Sequence, residues 1–200
     1  RKRDRLLAHI FPPDTVAIFF AAFGLPDLIF HIFIFGALSV AFIPIFTETL
    51  EKGGKDEAFK LSSSVFNLML LMLILVAVVI YILVDPLTNL IVPGFSNDQK
   101  IQVAQLTRVI LIGQIILSVG SLFIGILQSF QRFIIPALAG VFYNVGIIIG
   151  ILLLANSWGI MGAAIGVIIG GILHVLIQLP LVLSLGFRIE LMGGFIHSGL

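Results

Sequence analysis

Cysteine is absent from these 200 residues. That excludes disulfides and thiolate metal sites and leaves no redox clue to compartment. Charge is almost as scarce: Asp, Glu, Lys and Arg make up 10% of the chain, where a soluble domain carries roughly 25%. The formal net charge of +1 gives no basic face for nucleic acid to bind. No nucleophile–base grouping, metal cluster or phosphate-cradling loop is visible, so no enzyme, catalytic residue, cofactor or metal is expected. A lone His174 has no second and third ligand at helical spacing. What is abundant is apolar surface. Hydrophobic residues make up 60% of the chain and the mean hydropathy is +1.22.

The apolar residues fall into four long stretches, 65–84, 109–127, 133–155 and 159–187. A bilayer's hydrocarbon core takes about 20 consecutive apolar residues in a helix. The run 65–84 has no Asp, Glu, Lys, Arg or His, and in water it would expose an apolar circumference on every side. The fold class predicted is an all-α integral membrane protein, a polytopic helix bundle forming one membrane domain over 1–200.

The spans predicted are 1–11 (partial), 16–50, 62–84, 101–128, 133–155 and 159–185. Pro12 and Pro13 stop the first, and Asp14 or Thr15 is placed to cap the second. Those same residues interrupt any cleavable signal sequence after Arg1–Arg5. The second span contains Pro26 and Pro44, each of which removes a backbone bond and kinks a helix. In lipid this is tolerated where a neighbouring helix or trapped water satisfies the freed carbonyl. Residues 51–60 read as a polar loop broken at Gly53-Gly54, and Asp85-Pro86 reads as the end of the third span. Short connections at 128–132, 156–158 and 186–190 make the later helices antiparallel neighbours. GxxxG spacings at Gly146/Gly150, Gly162/Gly166 and Gly166/Gly170 predict close helix packing. The loop cations divide five to five if the amino terminus is a loop, and five to one if 1–11 belongs to a membrane helix, the case that puts 51–60 in the cytoplasm. The chain starts at Arg1 rather than Met and is expected to be a fragment of a longer protein.

Several blocks, in order, carry a family resemblance. RDRLLAHIF at 3–11 precedes FAAFGLPDLIFHIFIFGALSVAFIPIFTETL at 20–50, which contains GALS-x-AF-x-P-x-F at 36–46. VPGF follows at 92–95, LTR at 106–108, GILQSFQRFIIPALAGVFYN at 125–144 and HVLIQLP at 174–180. Together they resemble the MurJ/MviN family of lipid II flippases. The resemblance implies about fourteen membrane helices in two lobes around a central cavity, of which this chain would be most of the first lobe. It implies alternating access that carries lipid II, the undecaprenyl-pyrophosphate-linked precursor, to the outer leaflet of the bacterial cytoplasmic membrane. Its partners would be lipid II, membrane lipids and the missing C-terminal lobe of the same chain. The alternatives are another flippase of the wider superfamily that carries polysaccharide lipids, a drug/cation antiporter, or a scaffold without transport.

By the same resemblance Arg3-Asp4 matches the family's Arg-Asp pair on helix one, and Arg3 would face the cavity and meet the anionic head group. An arginine fork binds phosphate bidentately and stays charged. The alternative is that Arg1–Arg5 snorkel to the head-group region. The chain departs from the family where relatives carry an acid, two arginines and a glutamate on helix two. Here those positions are Ala17, Phe30, His31 and Phe35. Asp27 and His31 stand four apart on one helix face, either as a cation site or proton-responsive pair, or as a polar pair at the Pro26 bend. Arg108 either lines the cavity or reaches the interface. Gln114, Gln128, Asn144, His174 and Gln178 are expected to make interhelical hydrogen bonds.

Overall fold

The computed structural model describes residues 2–32 and 42–187, without the side chains of Lys2 and Ile29. Phe35, most of the GALS block, Arg188 and residues 192–200 lie outside the described residues. Those described form seven helices: α1 Lys2–Ile10, α2 Pro13–Ala22, α3 Gly24–His31, α4 Ile43–Ile91, α5 Asn97–Ser129, α6 Ile134–Trp158 and α7 Ile160–Ser184. Helices α4 to α7 are each long and apolar enough to cross a membrane. The molecule is an all-α polytopic membrane bundle.

α5 is the central element, packing against α2, α3, α4 and α7. α7 lies between α5 and α6, and the α6–α7 contact is the most extensive in the bundle. The glycines explain that contact. A Cβ on Gly146 would collide with the backbone of Gly170, and one on Gly150 with that of Gly166. Without a hydrophobic driving force between helices in lipid, such close backbone approach is what holds them together. One apolar core gathers Phe46, Phe59, Phe123 and Phe187 at one end of α4 and α5. A second joins Leu7 of α1, Phe19 of α2, Ile110 of α5 and Ile147 of α6.

The segment predicted as one span over 16–50 is divided among α2, α3 and the start of α4, with 33–41 outside the described residues. α2 begins at Pro13 behind Pro12, with no side-chain cap. Asp14 and Thr15 therefore do not cap it. A proline at the first helical position brings a preset φ and lacks only an N–H that would go unpaired there. Pro26 lies in the first turn of α3. The carbonyl it leaves without a helical donor is that of Ala22, and the Thr107 hydroxyl of α5 reaches it at 3.1 Å. That hydroxyl is shared with the Val103 carbonyl at 2.8 Å. Pro44 falls in the first turn of α4.

The polar loop read at 51–60 is instead helical on both sides of a single break. Gly54 has φ 80° and ψ −176°, a conformation open to glycine and few others. Before it, Lys52 pairs with Glu48 one turn back at 2.7 Å, so these charges decorate a helix rather than a loop. Nor does Asp85-Pro86 end the span: α4 continues through Pro86 to Ile91. The extension packs, with Thr88 buried, and Asp85 is held from α5 by Arg108. α5 starts at Asn97 through a capping box, the Ser96 hydroxyl accepting from the Gln99 amide and the Gln99 side chain accepting from the Ser96 N–H. The later connections are short, as α6 and α7 turn about Gly159 at φ 57°.

Candidate functional site: two hollows sharing Arg3

α1 is anchored by Leu7, which is fully buried. Arg3 is one helical turn before Leu7 and so lies on the same, inward face. Its guanidinium holds Asp4, with Nε to Oδ1 at 2.8 Å and Nη2 to the same oxygen at 2.7 Å. Arg3 borders two adjoining open hollows. One, of about 340 Å³, has walls from α2 (Phe20, Phe23), α3 (Asp27, Phe30, His31), α5 (Gln114, Leu117) and α6 (Tyr143). The other, of about 560 Å³, runs along α6 past Ala137, Gly140, Asn144 and Ile148. Each is large enough for several waters.

Most of the smaller hollow's wall is built on the α2–α3 bend. The Phe23 carbonyl accepts from the Asp27 N–H at 2.8 Å, and Thr107 takes up the carbonyl freed by Pro26. Asp27 and His31 are one turn apart, so both face the hollow. Gln114 of α5 donates from Nε2 to Asp27 Oδ1 at 2.7 Å. Gln114 is 6% exposed, and its Oε1 has no hydrogen-bond partner among the described residues.

The structure thus brings Arg3, Asp27 and His31 to one cavity, with Asp4 behind Arg3. Arg108 stands apart. It reaches α4, donating from Nη2 to Asp85 at 2.8 Å with its guanidinium 5.5 Å from the Tyr81 ring centre. It borders neither hollow. Gln114 makes the interhelical bond its position implied. Among the described residues Asn144, His174 and Gln178 do not: Asn144 donates to the Gly140 carbonyl at 2.9 Å, and Gln178 to the His174 carbonyl at 2.8 Å. A donor one turn along its own helix finds an acceptor without crossing to another. Sequence reasoning missed Tyr143 as a wall residue, Asp85 as the partner of Arg108, and Thr107 as the cap on Ala22. Tyr143 at least sits in a block already singled out, 125–144.

Comparison with known proteins decides the lineage. The family model described as lipid II flippase MurJ matches residues 7–200. This chain belongs to the MurJ family. Arg3 and Asp4 lie just ahead of the matched stretch. Among similar MurJ proteins, each named a probable lipid II flippase, that of Treponema pallidum (strain Nichols) is 33% identical over 185 residues, covering 88% of this chain and 34% of that protein. That of Buchnera aphidicola subsp. Baizongia pistaciae (strain Bp) is 31% identical over 183 residues, covering 89% and 36%. That of Borreliella burgdorferi (strain ATCC 35210 / DSM 4680 / CIP 102532 / B31) is 29% identical over 170 residues, covering 85% and 33%. The chain spans about a third of the length of these curated MurJ relatives.

Proposed function

We propose that this chain contributes part of the first lobe of a transporter that flips lipid II across the bacterial cytoplasmic membrane. In this reading Arg3 binds the pyrophosphate, Asp4 orients Arg3, and Asp27 and His31 form the facing wall. The work is physical and breaks no covalent bond, so the protein is a carrier and not an enzyme. A charged head group is costly to move through hydrocarbon. A wet hollow with a cation on its wall lowers that cost, and alternating access opens it to each side in turn.

The observation that carries the reading is Arg3 itself, an arginine on the inward face of α1 that borders both hollows. Membership of the MurJ family supports lipid II as the cargo. The cavity walls also suit such a ligand, since Phe20, Phe23 and Phe30 offer apolar surface beside polar Asp27, Gln114 and Tyr143. Family positions that are charged on helix two are replaced here by Phe30 and His31, so the reading gives Arg3 a larger share of the head-group charge. The rest of the transporter would come from the remaining chain.

The test is complementation. The full-length protein, expressed in a strain depleted of its own lipid II flippase, is expected to restore growth, and Arg3→Ala is expected not to. Failure of the wild type despite normal membrane levels would reject lipid II as cargo.

A further inference from the structure

Asp27 is the one carboxylate among the described residues that line the two hollows. It shares the smaller with Arg3. An anion that enters to reach Arg3 also approaches Asp27, and a wall of protein and lipid screens their repulsion far less than water does. The carboxylate is also partly committed: Oδ1 accepts from Gln114 Nε2 at 2.7 Å, while Oδ2 accepts no hydrogen bond among the described residues.

Resting on the proposed function, we infer that Asp27 takes a proton from water when a pyrophosphate binds at Arg3, so that the cavity holds anion and proton together. Arg3 on α1 favours the ionised carboxylate while its own charge is uncompensated beyond Asp4. A bound pyrophosphate cancels that field and adds negative charge beside Asp27, and both changes favour the protonated form. The other groups facing Asp27 are few. His31, one turn on along α3, opposes protonation when charged. Tyr143 comes from α6 and uncharged Gln114 from α5, while α2 offers Phe20 and Phe23. α4 reaches the neighbourhood of Pro26 through Leu73 and Ala77, both apolar. A hard metal cation gathers six or more oxygens, and the described groups here add only the Gln114 amide oxygen and the Tyr143 hydroxyl. A proton needs one.

The test uses the full-length protein in nanodiscs and a short-chain prenyl pyrophosphoryl sugar, a diester without the second phosphate ionisation near pH ~6. Calorimetry in two buffers of different ionisation enthalpy counts the protons taken up. Wild type is expected to take up close to one proton per probe, its affinity falling by up to about tenfold per pH unit on the alkaline side. Asp27→Asn is expected to take up none and to keep the wild-type acid-side affinity at every pH. Asp27→Glu is expected to restore the slope, and in His31→Gln the slope persists. Undiminished proton uptake in Asp27→Asn overturns the inference. So does loss of the slope in His31→Gln, loss of binding at all pH in folded Asp27→Asn, or binding that follows sodium at fixed pH. Arg3→Gln reports separately on the underlying reading: loss of probe at every pH supports it, and undiminished binding removes both.

Discussion

Thr107 shows how a single hydroxyl makes a proline tolerable inside a membrane. Pro26 strips the Ala22 carbonyl of its helical donor, and Thr107 supplies one from the next helix at 3.1 Å. Thr107→Val keeps the shape and removes the donor. It is expected to lower thermal stability by about 1 kcal/mol, in line with interhelical hydrogen bonds in bilayers, read as the melting of the detergent-solubilised full-length protein. Arg3 is expected to be the more demanding position. Arg3→Lys keeps the charge but loses the planar fork, so it should complement a flippase-depleted strain only partly, where Arg3→Ala fails. Arg108 should matter little by comparison. It borders neither hollow and holds Asp85 of α4 instead, so Arg108→Gln is expected to complement fully. The Asp27–His31 face was legible from the sequence, because an ionisable group within an apolar stretch stands out, whereas Arg3, in the charged run 1–5, was singled out only by the family resemblance. Gln114 as the partner of Asp27 was not legible. Those two are 87 positions apart, and only the packing of α3 on α5 brings them together.

At the scale of the element, the later helices were easier to read than the earlier ones. α5, α6 and α7 follow apolar runs with clear ends: a capping box at Ser96, and glycines at 159 and 186. α4 misled because charge and glycine at 51–60 look like a loop, whereas Glu48 and Lys52 pair along a helix and Gly54 alone leaves it. Asp85-Pro86 misled for a related reason, since a proline removes one bond and the rest of the helix keeps its own. Gly54→Ala tests the break. At φ 80° an alanine is strained by about 1–3 kcal/mol, so reduced thermal stability is expected. Gly53, one residue earlier, has helical φ, and a Cβ there would meet only the flexible Glu57 side chain. Gly53→Ala is expected to be near neutral in the same assay.

For the molecule as a whole, the lack of cysteine in these residues allows a direct map of wet and dry surfaces. Single cysteines at Ile82 and Leu153, both exposed on the outside of α4 and α6, should face lipid and resist a membrane-impermeant maleimide. A cysteine at Asn144, on the wall of the larger hollow, should react if that hollow holds water. Equal protection at all three sites would argue against a wet chamber. The class of fold was legible from hydropathy alone, because length and charge decide what lipid accepts. Which faces of the helices enclose a hollow was not, since lipid-facing and cavity-facing residues are alike mostly apolar here.

The seam between α6 and α7 has a genetic consequence. Gly146 meets Gly170 and Gly150 meets Gly166, backbone against backbone. When a crowded core side chain is enlarged, a smaller neighbour commonly restores the fit. For Gly146 and Gly150 the neighbour across this seam is already the smallest residue there is. A bulky substitution at either therefore has no local suppressor: revertants selected from such a mutant should regain glycine at that codon, or carry second changes far from the seam.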